Sequence, residues 1–175
     1  MINKKDIFKD FSIKVDKGEF VTIIGGNGTG KSTLMNLISG TEFPDSGQIF
    51  IDGKDVTNIP EFKRSKLIGR VFQDPLKGTA PNLTVEENLS LALLKGNRRG
   101  LRFALNKSIR NSFKEKLKEL NLGLENQLNT KIGLLSGGQR QAITLLMATL
   151  NTPKILLLDE HTAALDPKSS EKVLD

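Results

Sequence analysis

The chain has 175 residues, no cysteine, a single histidine and a net charge of +6 from 26 Lys+Arg against 20 Asp+Glu. Disulfide frameworks, thiolate zinc sites, cysteine nucleophiles and multi-histidine metal sites are thereby excluded. With 37% hydrophobic and 26% charged residues the composition is globular, the length suits one core, and no apolar run approaches the roughly 20 residues of a membrane helix.

Taken in chain order, Phe11, Ile13 and Val15 alternate with Ser12 and Lys14, which is strand periodicity. Asp16-Lys17-Gly18 reads as a turn, and Phe20 to Ile24 is a continuous β-branched run, as in a strand covered on both faces. After a glycine-rich turn, Leu34, Leu37 and Ile38 fall at helical spacing between Ser32 and Ser39, with Gly40 at the C-cap. Gln48 to Ile51 runs into the turn residues Asp52-Gly53, and Leu67 to Phe72 is another apolar run. Ile109, Phe113, Leu117 and Leu120 form one face of an amphipathic helix. Ser136 is a good N-cap for a helix reaching Leu150, and Ile155 to Leu158 is a short buried-strand run ending in two acids. Strands alternate with helices, so the expected fold is α/β with a largely parallel sheet.

Gly25-Gly26-Asn27-Gly28-Thr29-Gly30-Lys31-Ser32 matches G-x-x-x-x-G-K-[ST] in full, between a strand pattern and a helix pattern. Glycines let backbone N–H groups turn inward around phosphate oxygens, and the following helix adds the positive end of its dipole. Lys31 is expected to reach the β- and γ-phosphates and the Ser32 hydroxyl to bind Mg²⁺. Asp159, directly after the last apolar strand, is the expected carboxylate near that metal. Glu160 follows it, placed to orient and deprotonate an attacking water. His161 reads as a packing or loop residue.

Leu135-Ser136-Gly137-Gly138-Gln139-Arg140-Gln141 resembles the signature motif of the ABC ATPases. Three further stretches resemble that family's motifs in its order: Gln73 in Val71-Phe72-Gln73-Asp74 looks like the Q-loop, Leu158-Asp159-Glu160 like Walker B, and Ala164-Leu165-Asp166-Pro167 like the D-loop. The resemblance runs from about Phe11 to the last residue. It implies a P-loop NTPase (RecA-like) core with a mostly parallel sheet, antiparallel strands and an inserted helical subdomain. Residues 1–74 and 152–175 would form the ATP-binding core and 75–151 the helical subdomain carrying the signature, within one ABC ATPase domain, 1–175, incomplete at both ends.

The cofactors implied are ATP and Mg²⁺. Gly25, Asn27, Gly28, Thr29, Gly30, Lys31, Ser32 and Thr33 would hold the nucleotide. Ser32, Gln73 and Asp159 would bind the metal, and Glu160 and Gln73 would serve hydrolysis. Ser136 heads a helix whose Gly137 and Gly138 expose backbone N–H groups, a second anion site. The resemblance makes Ser136 and Gly138 contacts to the nucleotide of a second ATPase subunit, in a head-to-tail homodimer with Asp166 at its interface. Implied partners are a transmembrane permease and, through it, an extracytoplasmic solute-binding protein; no nucleic acid is expected. The implied location is cytoplasmic, peripheral on the inner face of the cell membrane.

Gly69 to Pro75 and Asp159 to Pro167 further resemble a bacterial amino-acid import subgroup, as does the basic stretch Lys95 to Arg102, read equally well as a permease or lipid contact or as a solvated loop. The expected function is therefore ATP-driven solute transport, most simply import. A soluble ABC ATPase and an inactive nucleotide-binding fragment are the alternatives. Two family features have no counterpart: a switch histidine beyond the D-loop and an adenine-stacking aromatic. Phe8 and Phe11 align with core positions instead, and weak or absent hydrolysis is expected of the chain as written.

Overall fold

The structure is a computed structural model that describes residues 6–95 and 107–159. Glu160, His161, Asp166 and most of the basic stretch after Lys95 lie outside the described residues.

Helix α1 spans Lys31–Ser39 and ends on Gly40, whose left-handed backbone (φ 82°) lets its N–H return to Asn36 O. Strands β1 (Phe50–Ile51) and β2 (Lys54–Asp55) form an antiparallel hairpin. Asp52 and Gly53 both take positive φ, 52° and 74°, as the tight two-residue turn requires. The short helix α2 (Glu61–Arg64) leads into β3 (Ile68–Val71). A 3-10 turn over Pro75–Gly78, capped by the Asp74 side chain, separates β3 from α3 (Val85–Leu93). Helix α4 covers Lys107–Glu119, α5 covers Gly137–Thr149, and β4 (Ile155–Leu158) closes the described elements.

The apolar residues sort into two clusters. Val85 and Leu89 of α3, Phe113 and Leu117 of α4, Ile143 of α5, and Leu124, Leu128 and Ile132 of the connecting turns are packed together, nearly free of solvent. Phe113 and Leu117 are the two buried members of the stripe expected on α4. Each such side chain contributes roughly 1.5–3 kcal/mol by leaving water. A smaller cluster joins Ile51, Val56, Ile68 and Leu157, with Ile38 of α1 against it.

Strands β3 and β4 pair in parallel with Ile68 opposite Ile155 and Val71 opposite Leu158. Helix α5 lies directly on this pair, and Gly69 makes the approach possible. A Cβ there would stand 2.5 Å from the Ala148 carbonyl oxygen and 2.9 Å from Leu156 Cδ1.

The N-terminal third departs from the expectation. Residues 11–15 and 20–24 form no strand, and the run expected to be covered on both faces is open to solvent, with Phe20 75% and Ile24 91% exposed. Among the described residues no ladder partner reaches it, and a β-branched run without a ladder has no second layer to bury its faces. Among the described residues the parallel pairing is correspondingly that of β3 with β4. Only Leu157 of β4 is buried, and Leu156 is 37% exposed.

Candidate nucleotide-binding site

The loop from Gly25 to Gly30 is built from its own residues. Thr29 Oγ1 donates to Gly26 O at 2.9 Å, and Lys31 Nζ folds back to donate to Gly25 O at 2.6 Å and Gly26 O at 2.8 Å. Gly28 and Gly30 adopt φ of 78° and 95°, backbone that side chains with a Cβ rarely take. Cβ atoms added at Gly26 or Gly28 would meet nothing within 4 Å, so the concave side stays open. At Gly25 a Cβ would come within 2.6 Å of Thr29 Oγ1. These are the requirements of a phosphate cradle: bare backbone, one ammonium, and a helix starting at Lys31 with Ser32 exposed in its first turn. The donor set fits a nucleotide phosphate, and the Ser32 hydroxyl fits a hard cation.

Phe8 and Phe11 do not take core positions. Their rings stand 5.2 Å apart and border an open cleft of about 320 Å³ together with Thr29, Gly30, Lys31 and Leu34. Without a paired strand between residues 6 and 24 there is no inner face for them to fill.

The β3–β4 ladder brings two further candidates to one end. Gln73 lies two residues past Val71 and Asp159 one past Leu158, and the Asp159 N–H continues the ladder by donating to Val71 O at 3.1 Å. The carboxyl ends of parallel strands are where such sheets bind ligands. Among the described residues no three acidic or histidine side chains converge as a metal cluster. Ser32, Asp159 and Gln73 each offer a hard oxygen donor of the kind Mg²⁺ takes.

The start of α5 is a separate anion-type feature. Ser136 Oγ accepts from the Gln139 N–H at 3.3 Å, while Gln139 Oε1 accepts from the Ser136 N–H at 3.2 Å, a reciprocal capping box. Gln139 Nε2 also donates to Leu122 O at 3.3 Å. A Cβ at Gly137 or Gly138 would meet nothing within 4 Å, so this helix start faces outward. Because Ser136 Oγ serves as acceptor in the cap, its own proton stays free to donate.

Three residues that organise the site carry no sequence signal. Arg64 is fully buried and donates to four carbonyls: Ile59 O at 2.6 Å, Leu37 O at 2.6 Å, Ile38 O at 2.9 Å and Thr57 O at 2.8 Å. Two of these belong to the last turn of α1, whose carbonyls have no helical partner. Burial lowers the Arg64 pKa from its ordinary value, opposed by the charge of Asp55. Asn88, buried in α3, receives the Ala80 N–H at 2.8 Å and donates to Ala80 O, Leu83 O and Thr84 O, fixing the segment that follows Gln73. Arg70 bridges β3 to α1.

Comparison with known proteins agrees with this geometry. The family described as "ABC transporter" matches residues 8–163. A tyrosine transport ATP-binding protein of Clostridioides difficile is 52% identical over 169 residues, covering 97% of this chain and 67% of that protein. The spermidine/putrescine import ATP-binding protein PotA of Haemophilus influenzae is 40% identical over 162 residues, and the chain spans only 40% of its length. Among solved structures, a dimeric post-hydrolysis state of the ATP-binding cassette MJ0796 bound to ADP and Pi superimposes with a TM-score of 0.80 at 35% identity, over 96% of this chain and 72% of that one. A dimeric structure of the same cassette, described as bacterial, gives 0.81 at 34%. An open glycine loop leading into α1, a parallel pair followed by Gln73 and Asp159, an outward-facing Ser136 helix start and these likenesses lead to one conclusion: the chain belongs to the ABC transporter family.

Proposed function

We propose that the chain is the ATP-binding, ATP-hydrolysing part of a membrane importer for a solute of the amino-acid class. The observation that carries this reading is the Gly25–Ser32 cradle, an open backbone loop leading into α1, in a chain of this family. The 52% identity to a tyrosine transport protein favours an amino acid over the polyamine of the 40% identical relative.

In this reading Mg²⁺, when bound, neutralises charge on the phosphates of ATP. The chain's own residues then have separate tasks. Loop N–H groups and Lys31 bind phosphate oxygens; for Lys31 this means exchanging the carbonyls of Gly25 and Gly26 for phosphate. Ser32, Asp159 and Gln73 would hold the cation, Gln73 would also position the attacking water, and Glu160 would accept the water's proton. The exposed start of α5, with the Ser136 proton and the Gly138 N–H outward, suits the nucleotide of a second identical subunit. The separate apolar clusters support a division into an ATP-binding core (1–74 and 152–175) and a helical subdomain (75–151). A permease would anchor the chain peripherally at the inner membrane face. Among the described residues no helix is long and apolar enough to cross a membrane.

Titration calorimetry with Mg·ATP tests the cradle. The wild-type chain is expected to bind, and Lys31→Ala to lose at least about tenfold in affinity, as removal of a charge-assisted phosphate contact would. Unchanged affinity would move the nucleotide site elsewhere. Any ATP turnover should disappear in Glu160→Gln with binding retained. Co-purification with a permease supports transport, whereas co-purification with ribosomes or DNA would overturn it.

A further inference from the structure

Arg70 stands on β3, three residues before Gln73. Its Nη1 donates to Ser39 Oγ at 3.1 Å and its Nη2 to Asn36 Oδ1 at 2.8 Å. Both acceptors belong to the second half of α1, the helix that begins at Lys31. The guanidinium also lies over the Phe72 ring, 4.7 Å from its centroid, and Nε is buried without a partner. An arginine at this edge could extend into water. It instead leaves one N–H unsatisfied to keep a planar, two-pronged grip on α1.

The acceptors are themselves held. Asn36 Nδ2 donates to Glu42 Oε1 at 2.9 Å, and Ser39 Oγ shares a hydrogen bond with Thr41 Oγ1 at 3.0 Å. Helix α1 has nine residues, so its first and last turns belong to one short hydrogen-bonded element and move together. A shift at Lys31 and Ser32 therefore reaches Asn36 and Ser39. From there Arg70 carries it to Phe72, the residue before Gln73.

We propose that Arg70 is a positioning residue that couples the phosphate-loop helix to Gln73. The proposal rests on the ATP-binding reading above. Lysine cannot substitute, because a single ammonium cannot hold both acceptors while lying flat on Phe72.

The test uses the full chain and amide hydrogen exchange over residues 72–78, with and without Mg·ATP, beside calorimetric affinity and urea stability. Mg·ATP is expected to slow wild-type exchange in this segment by about fivefold or more. Arg70→Met should bind Mg·ATP within about fivefold of wild type yet lose that response. Arg70→Lys should not restore it. Asn36→Ala should lose most of the response, and the Asn36→Ala/Arg70→Met double variant should be no worse than Arg70→Met. If Arg70→Met does not fold, Asn36→Ala carries the test, since it leaves Arg70 in place. A wild-type response surviving in Arg70→Met, or in Asn36→Ala where that variant alone is testable, would make Arg70 a stability residue only. A wild type that binds Mg·ATP without any response at 72–78 overturns the coupling alone. A wild type that binds none overturns the ATP reading, and the coupling with it.

Discussion

Buried arginine is uncommon unless paired, and Arg64 directs its donors to four carbonyls, two at the end of α1 and two in the segment between β2 and α2. Arg64→Met removes them all while keeping most of the volume. Chemical denaturation is expected to show a loss of about 3 kcal/mol or more, since buried acceptors are left without donors. Arg64→Lys should recover only part of it, because three tetrahedral donors cannot follow a planar fork. In the sequence Glu61-Phe62-Lys63-Arg64 is one more charged stretch. Nothing distinguishes the buried guanidinium from the exposed Lys63 beside it, because burial here follows from what α1 leaves unsatisfied. Arg70 and Asn88 were equally illegible for the same reason. Glycine and lysine at fixed spacing stand out in the sequence, since a phosphate loop would require those residue types whatever surrounds them.

At the scale of elements, legibility follows locality. The α4 stripe, the Asp52-Gly53 hairpin and the Ser136 cap depend on neighbours within a few residues, and each stands where the pattern puts it. The start of α3 shows how such a local device responds to acid. Glu87 accepts from the Thr84 N–H at 2.7 Å and the Thr84 hydroxyl at 2.8 Å. These bonds lower its pKa from the ordinary 4.5. A lowered folded pKa means that the carboxylate's contribution is present above the ordinary value and is lost as pH falls through the depressed one. The stability gap between wild type and Glu87→Gln should therefore be widest near neutrality and close below pH 4.5, which urea melts across that range would show.

For the whole molecule, the strand expectation over residues 20–24 failed because a both-faces-buried strand is not a local object. It needs a ladder and two covering layers, and none of these is encoded in Phe20 to Ile24 itself. The two apolar populations should answer mutation differently. Ile143→Ala, at the centre of the helical cluster, is expected to cost about 2–5 kcal/mol. Ile24→Ser, at 91% exposure, should change stability by less than about 0.5 kcal/mol. A large loss at Ile24 in urea titration would mean that this segment is covered in solution. The family was thus readable from motifs, whereas the extent of the sheet was not.

The in-register pairing of β3 with β4 imposes a parity rule on the chain. Leu157 and Asp159 are two residues apart, so the side chain that seals the small core and the carboxylate at the sheet's end stand on the same side. Deleting one residue from Ile155–Leu158 would move Asp159 to the other side, however well the backbone ladder re-formed. The strand can change length only in even steps if Leu157 and the Asp159 carboxylate are to keep a common side.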